Sequence, residues 1–340
     1  MLKSKKILIY TSFVFLITVS LTGKNFLQAQ EINKLKLKDP LHKSLNNPKP
    51  NLNGHYFSVT PQTKSPFIKT SIDIAMGLGQ TVGLKPIEIA IDTITVSKNI
   101  NGNLVLSGLY LEFETKLREW LSFWVNFQIN DRLGTNGTTL FAEGLNLSIG
   151  YEFGWMFKLW EDKKNILSGS FNLSNSSITI MSIDKYIRQL IENGIGNPEN
   201  SLIYTVPSLS FVGGLRYATA FNKSLGLIAL AEIGYGEKIN SDNEGIFMFN
   251  GGATFDYDLM PKTNIPIGFS LGYYQNSYSR LSDQKISNPQ NILGQISYTG
   301  KPDLSLGLVI SYSWSKIQDS KYYNDAIKFL SFQGNFKYYF

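Results

Sequence analysis

The sequence predicts an all-β chain closed into a transmembrane, antiparallel up-and-down barrel of about twelve strands, with fourteen as the alternative. Three observations predict it. From the middle of the chain to its end, apolar and polar side chains alternate with a period of two, which gives each segment one lipid-facing side and one inward side. The alternating segments run to roughly ten residues, the length a tilted strand needs to cross hydrocarbon. The connections between them are long and short in turn, which sorts the loops to two different ends.

The amino terminus is read first. Lys3, Lys5 and Lys6 precede an apolar run from Ile7 to Leu21 and the small-residue site Leu27-Gln28-Ala29, the layout of a secretory leader cleaved after Ala29. That run is too short for a comfortable bilayer span. The formal charge is +6, but Lys3, Lys5, Lys6 and Lys24 belong to the leader and no acid does; six less these four leaves +2. A mature chain so nearly neutral gives no reason to expect a nucleic-acid partner. There is no Cys, which excludes disulfides and a lipid-anchored cysteine. Aromatic content is 13%, with 29 Gly and 18 Tyr, as expected where only alternate residues meet lipid.

The chain divides into a leader (1–29), a flexible periplasmic extension (30–66), an extra strand or lumen segment (67–86) and the barrel proper (87–340). The extension is rich in Lys, Asn and Pro, too polar to offset the entropy of ordering. Phe67 to Gln80 alternates on Ile68, Ile72, Ile74, Met76 and Leu78. Ile87 to Val96 reads as a strand whose parity switches near Asp92, the sign of a bulge. Regular segments follow: Leu104 to Glu114, Leu121 to Asn130, Leu145 to Phe157, Ile166 to Ser176, Leu209 to Tyr217 and Leu225 to Tyr235. Phe249 to Tyr257, Ile265 to Tyr273, Ile292 to Tyr298, Leu304 to Trp314 and Leu330 to Phe340 complete the set. Counting from Ile87 gives twelve strands. Phe67 to Gln80 then lies outside the wall, or pairs with a short strand at Gly54 to Thr60 to make fourteen.

In the closing segment Leu330, Phe332, Phe336, Tyr338 and Phe340 share one parity and Ser331, Gln333, Asn335, Lys337 and Tyr339 the other. This resembles the closing strand of bacterial outer-membrane β-barrels, with alternating aromatics and a terminal Phe. The glycine usual five residues before the end is displaced here to Gly334, with Asn335 in its place. The resemblance covers roughly Ile87 to Phe340. It implies a Gram-negative-type outer-membrane location, contact with outer-membrane lipid, and recognition of Phe336, Tyr338 and Phe340 by the barrel-assembly machinery.

Glu112, Glu114, Arg132, Glu152, Arg216, Glu232, Asp256 and Asp258 fall on the inward parity and are candidates to line a lumen. They would either pair with one another, as buried charges must, or border a water-filled path. Ser182 to Gly194 reads as the one helix of the mature chain. Ile183, Tyr186, Ile187, Leu190 and Ile191 lie on a single face, Ser182 caps the start and Gly194 fits the stop. Parity places this helix in the longest outer loop, where it is expected to constrict the mouth. The two histidines, His42 and His55, both sit in the extension. No rim base is therefore available to activate a nucleophile, and no enzyme, cofactor or metal site is expected. The leading function is a porin-like channel or transporter for small solutes. The alternative is a closed structural or surface-interaction barrel, adhesin-like and without transport.

Overall fold

Alternation of burial along Ser71–Val82 and Leu225–Glu237 shows what organises the chain: one face of such a strand turns inward, and the other is left exposed on the outside, as lipid contact requires. A computed structural model describes residues 49–82, 87–91, 94–98, 104–133, 144–181, 183–194, 196–237, 245–276, 289–316 and 326–340. The expected leader, its expected cleavage position and His42 lie outside the described residues.

Two very short strands come first, β1 (Asn51–Leu52) and β2 (His55–Tyr56). The first wall strand is β3 (Ser71–Val82), followed by a separate hairpin of β4 (Ile87–Ile91) and β5 (Ile94–Lys98). The wall continues through β6 (Val105–Arg118), β7 (Leu121–Leu133), β8 (Gly144–Glu161), β9 (Asn165–Met181), β10 (Ile203–Ala220) and β11 (Leu225–Glu237). It ends with β12 (Gly245–Asp258), β13 (Ile267–Asn276), β14 (Gln290–Tyr298), β15 (Leu304–Lys316) and β16 (Ala326–Tyr339). β3 and β6 to β16 form one closed barrel in which each strand pairs with its neighbours in the chain, β4–β5 aside. All pairings are antiparallel, and the ladder from Tyr339↔Ser71 to Lys328↔Val82 closes the ring. Closure leaves no free sheet edge, so every wall donor and acceptor can be met inside the bilayer.

The count of twelve stands, but one member changes. Ile87 to Val96, expected in the wall, is the β4–β5 hairpin, paired from Ile87↔Lys98 to Ile91↔Ile94. The parity switch near Asp92 therefore marks a hairpin reversal and not a bulge. Each of its arms has five residues, well under the roughly nine to eleven that a span requires. Ser71–Val82 has twelve and takes the wall position instead. The proposed strand at Gly54 to Thr60 does not pair with it. Asn51–Leu52 and His55–Tyr56 pair with each other across Asn53 (φ 50°) and Gly54 (φ 79°), a left-handed pair suited to a two-residue hairpin turn.

The outer face is apolar. Phe247, Leu308 and Ile233 are 76%, 69% and 65% exposed, with Leu271, Phe255 and Phe332 beside them in character. Paired rings mark both rims: Trp120 with Phe157 and Tyr338 with Phe340 at the short-turn end, Tyr235 with Phe247 and Tyr312 with Trp314 at the other. Such amphipathic rings suit headgroup depth. The expected loop helix forms as α1 (Ile183–Asn193). A second helix, α2 (Met260–Thr263), turns the chain between β12 and β13, with Pro261 in its first turn and Asn264 at φ 59° closing it.

Candidate functional site

The site is the barrel's interior, and its main occupant is the chain's own amino-terminal segment. Residues 49–70 enter at the short-turn end, rise into the lumen and return to start β3. The expectation of a loosely held extension is thus corrected from Lys49 onward. The reason is packing. Leu52, Phe57, Val59 and Phe67 bury against Ile166, Ala218, Ala220 and Ile228, the inward residues at the short-turn ends of β9, β10 and β11. A water-filled lumen would leave those apolar residues wet, whereas the plug covers them. Ile68 adds a smaller contact with Trp124 and Met156.

Polar bonds fix the plug in register. The Ser58 amide donates to Asp256 Oδ2 at 2.7 Å, and Ser58 Oγ lies 2.5 Å from Ser297 Oγ. Gln62 Nε2 donates to Gln333 Oε1 at 2.6 Å. Lys64 Nζ donates to both oxygens of Glu232, at 2.8 and 3.0 Å. Arg216 donates to the Ser65 carbonyl at 3.4 Å, and Ser168 Oγ to that of Pro66 at 2.6 Å. The crest turns on Pro61, whose ring presets the backbone. There the Thr60 amide donates to Thr63 Oγ1 at 2.8 Å and the Thr63 amide to the Thr60 carbonyl at 3.1 Å. At the entry, Lys49 Nζ donates to the carbonyls of Tyr298 and Leu304, at 3.3 and 3.2 Å. Burial pushes the Lys49 ammonium down from 10.5 to about 8, with Asp258, Asp256 and Asp303 opposing the change.

The candidate lining residues sort into distinct places. Asp256 and Glu232, each 1% exposed, and Arg216 hold the plug. Asp256 also faces His55 Nε2 at 3.4 Å. The sequence placed His55 away from the barrel; the β1–β2 turn folds it into the lumen against Gly226, where an added Cβ would stand 2.6 Å from the imidazole. Asp258 belongs to the floor, accepting from Thr299 Oγ1 at 2.9 Å and the Met260 amide at 3.0 Å. Strand register brings Lys337, Asp73, Glu112, Asn126 and Glu152 into one row across β16, β3, β6, β7 and β8. In that row Lys337 Nζ lies 3.4 Å from Asp73 and 3.5 Å from Glu112, while Tyr110 donates to Glu112. Glu114 accepts from Ser122 Oγ at 2.7 Å, and Glu152 from Trp124 Nε1 at 3.0 Å. The Arg216 guanidinium lies over the Trp124 ring, 4.9 Å from its centre. Arg132 is buried near the long-loop end of β7, apart from these groups.

Above the plug a cavity of about 530 Å³ remains, with Val59 to Gln62, Lys64 and Ser65 as its floor and β3, β6, β7 and β16 as much of its wall. Asn126, Gln128, Asn130, Tyr110 and Gln333 border it, together with Glu112, Glu114 and Glu152. The opposite side of the lumen is filled by Leu230, Tyr274, Leu293 and Val309. The open space is therefore eccentric. Inward rings lie flat on inward glycines: an added Cβ at Gly154 would stand 2.3 Å from Trp124, and one at Gly252 2.2 Å from Tyr274.

Lys49, Lys64 and Asp73 were missed as site residues. The Asn53-Gly54 turn, and the inward apolar residues Ala218, Ala220 and Ile228, are the sequence signals by which an inner segment could have been found. The helix α1, expected at the mouth, bonds within its own loop, Gln189 accepting from the Ser201 amide at 3.0 Å, and its Ile191 is 70% exposed. Phe336 and Phe340 lie exposed on the outer face, and the Phe340 amide donates to the Thr70 carbonyl at 3.0 Å.

No protein-family model matches the chain, and no curated protein matches it. Solved structures of similar shape include the KdgM porin in complex with disordered oligogalacturonate, at 8% identity and a TM-score of 0.42, covering 79% of this chain and 99% of that one. A Pseudomonas aeruginosa FadL homologue gives 10% and 0.43, covering 86% and 96%. The translocator domain of the autotransporter NalP from Neisseria meningitidis gives 10% and 0.45, covering 80% and 88%. Likeness at this level assigns neither a family nor an activity.

Proposed function

We propose that the protein is an outer-membrane channel for small solutes, held shut at its short-turn end by residues 49–70. The observation that carries this reading is the polar-bordered cavity of about 530 Å³ directly above a plug that is not part of the wall. A barrel built only to stay closed has no need of such a space. The plug's bonds to Asp256 and Gln333, from the Ser58 main-chain amide and the Gln62 side-chain amide, join groups that water can satisfy once they part. The exposed apolar belt supports a place in the membrane. The exposed aromatics of the closing strand, Phe336 and Phe340, support the expected recognition by the assembly machinery. The same reading assigns no catalysis, since His55 is fully buried between Lys223 O and Asp256.

One observation favours the alternative of a closed structural or surface-interaction barrel: plug and wall side chains together fill much of the interior. A reversible lock separates the two. Ser58 Oγ and Ser297 Oγ are 2.5 Å apart, and the chain has no Cys. A Ser58→Cys/Ser297→Cys pair therefore ties the plug to the wall when oxidised. In planar bilayers the channel reading expects current from the reduced protein, its loss on oxidation and its return with dithiothreitol. No current from either form would leave the closed barrel.

A further inference from the structure

We propose that the wall of the lumen carries a seat for a primary ammonium group, filled at rest by the plug's Lys64, and that the solute this channel takes is a small organic cation bearing such a group. The inference rests on the plugged-channel reading only in requiring that the plug withdraw. Three observations carry it. The first is geometry. Lys64 Nζ approaches both oxygens of the buried Glu232 carboxylate, at 2.8 and 3.0 Å, and Asn250 Nδ2 supports the same carboxylate at 3.4 Å. The Asn250 Oδ1 is buried and accepts nothing, leaving an acceptor beside the seat.

The second is charge. Lys64 feels both Glu232 and Glu152, and the fixed cation nearby is Arg216, whose NH2 is 3.6 Å from Glu232. Withdrawing Lys64 leaves these two carboxylates against one guanidinium. A buried negative charge in excess demands a replacement cation. Anions are disfavoured at the same place by the same imbalance. The third is backbone. Lys64 sits at φ 40°, a left-handed conformation that is strained for a residue with a side chain. The plug thus accepts strain at the one residue that delivers an ammonium to the seat. The adjoining cavity is bordered by the amides of Asn126, Gln128 and Gln62, which suits a polar body behind the ammonium.

Removing the tethered ammonium and supplying a free one tests the seat. In Lys64→Gly the left-handed backbone becomes comfortable, and n-butylammonium reproduces the lost side chain from Cβ outward. Calorimetric titration of the detergent-solubilised full chain with n-butylammonium chloride is expected to show saturable one-to-one binding to Lys64→Gly. Affinity should be at least about tenfold weaker for the wild type, whose own Lys64 competes. n-Butanol, the neutral isostere, and the double variant Lys64→Gly/Glu232→Gln should not bind. Equal binding to the double variant, equal binding of butanol, or no saturable heat with Lys64→Gly would each overturn the proposal. Should Lys64→Gly fail to fold, Lys64→Asn, which tolerates the same φ, is held to the same outcomes. Binding without current in the lock experiment would overturn the channel reading and leave the seat standing; current without binding would do the reverse.

Discussion

Asp256 offers the sharpest test of how the plug is held. Its carboxylate, on the wall strand β12, accepts the Ser58 amide of the plug at 2.7 Å and the Ser270 hydroxyl of β13 at 2.9 Å, and faces His55 at 3.4 Å. In Asp256→Ala the Ser270 hydroxyl loses its acceptor whether or not the plug is seated, so that cost cancels from docking. The Ser58 N–H does not cancel. Seated, it is buried without a partner; withdrawn, it is hydrated. Leaving one buried donor unmet costs about 1–3 kcal/mol, which lowers the docked-to-free ratio roughly 5- to 150-fold. The assay exploits the absence of Cys from the chain. A single thiol at Val59→Cys, a position 1% exposed in the plug, labels with maleimide only when the plug leaves. Labelling of Val59→Cys/Asp256→Ala is expected to be faster by that factor. Asp73→Ala serves as control, because Asp73 is equally buried but pairs with Asn335 and Lys337 of the wall. Equal rates with and without Asp256, or the same acceleration from Asp73→Ala, would refute the reasoning.

Two further predictions follow from the same geometry. Lys49 has its docked pKa at about 8 against 10.5 when free, so between those values the free plug binds more protons and rising pH favours docking. The labelling rate of Val59→Cys relative to Val59→Cys/Lys49→Met should be flat below about pH 8 and fall as pH climbs towards 10.5. A ratio that rises across that window has the wrong sign and sinks the assignment. Gly154→Leu sets a Cβ 2.3 Å from the Trp124 ring and 2.7 Å from the Phe171 carbonyl, displacing the indole that supports Arg216 and packs Ile68. Overpacking of this kind costs about 1–3 kcal/mol, and a lower urea midpoint measures it; an unchanged midpoint would show the ring is free to move.

The wall was legible because each wall strand carries its own instruction. Leu304, Leu306, Leu308, Ile310 and Tyr312 declare a lipid face without reference to any partner. Where the reading slipped, local pattern was ambiguous in length. Ile87 to Val96 alternates as a wall strand does, yet splits into two arms of five residues, and only pairing distinguishes a hairpin from a bulged span. The same limit hid the plug. Residues 50–66 are polar on average, and what orders them is the apolar patch of Ile166, Ala218, Ala220 and Ile228, more than a hundred positions away in the chain. Those inward apolar residues stand in the sequence, but their meaning depends on what lies across the lumen.

The sequence by itself determined the closed antiparallel barrel, its membrane belt, the sorting of its loops and the inward parity of the acids. A period of two and the cost of unpaired main-chain groups in lipid suffice for that. Only the tertiary structure decided which acids work together. Lys337 meets Asp73 because the last strand closes on the first, and Glu232 meets Lys64 because the chain folds back through its own lumen. Contacts across a ring join residues at opposite ends of the polypeptide, and no local pattern records them.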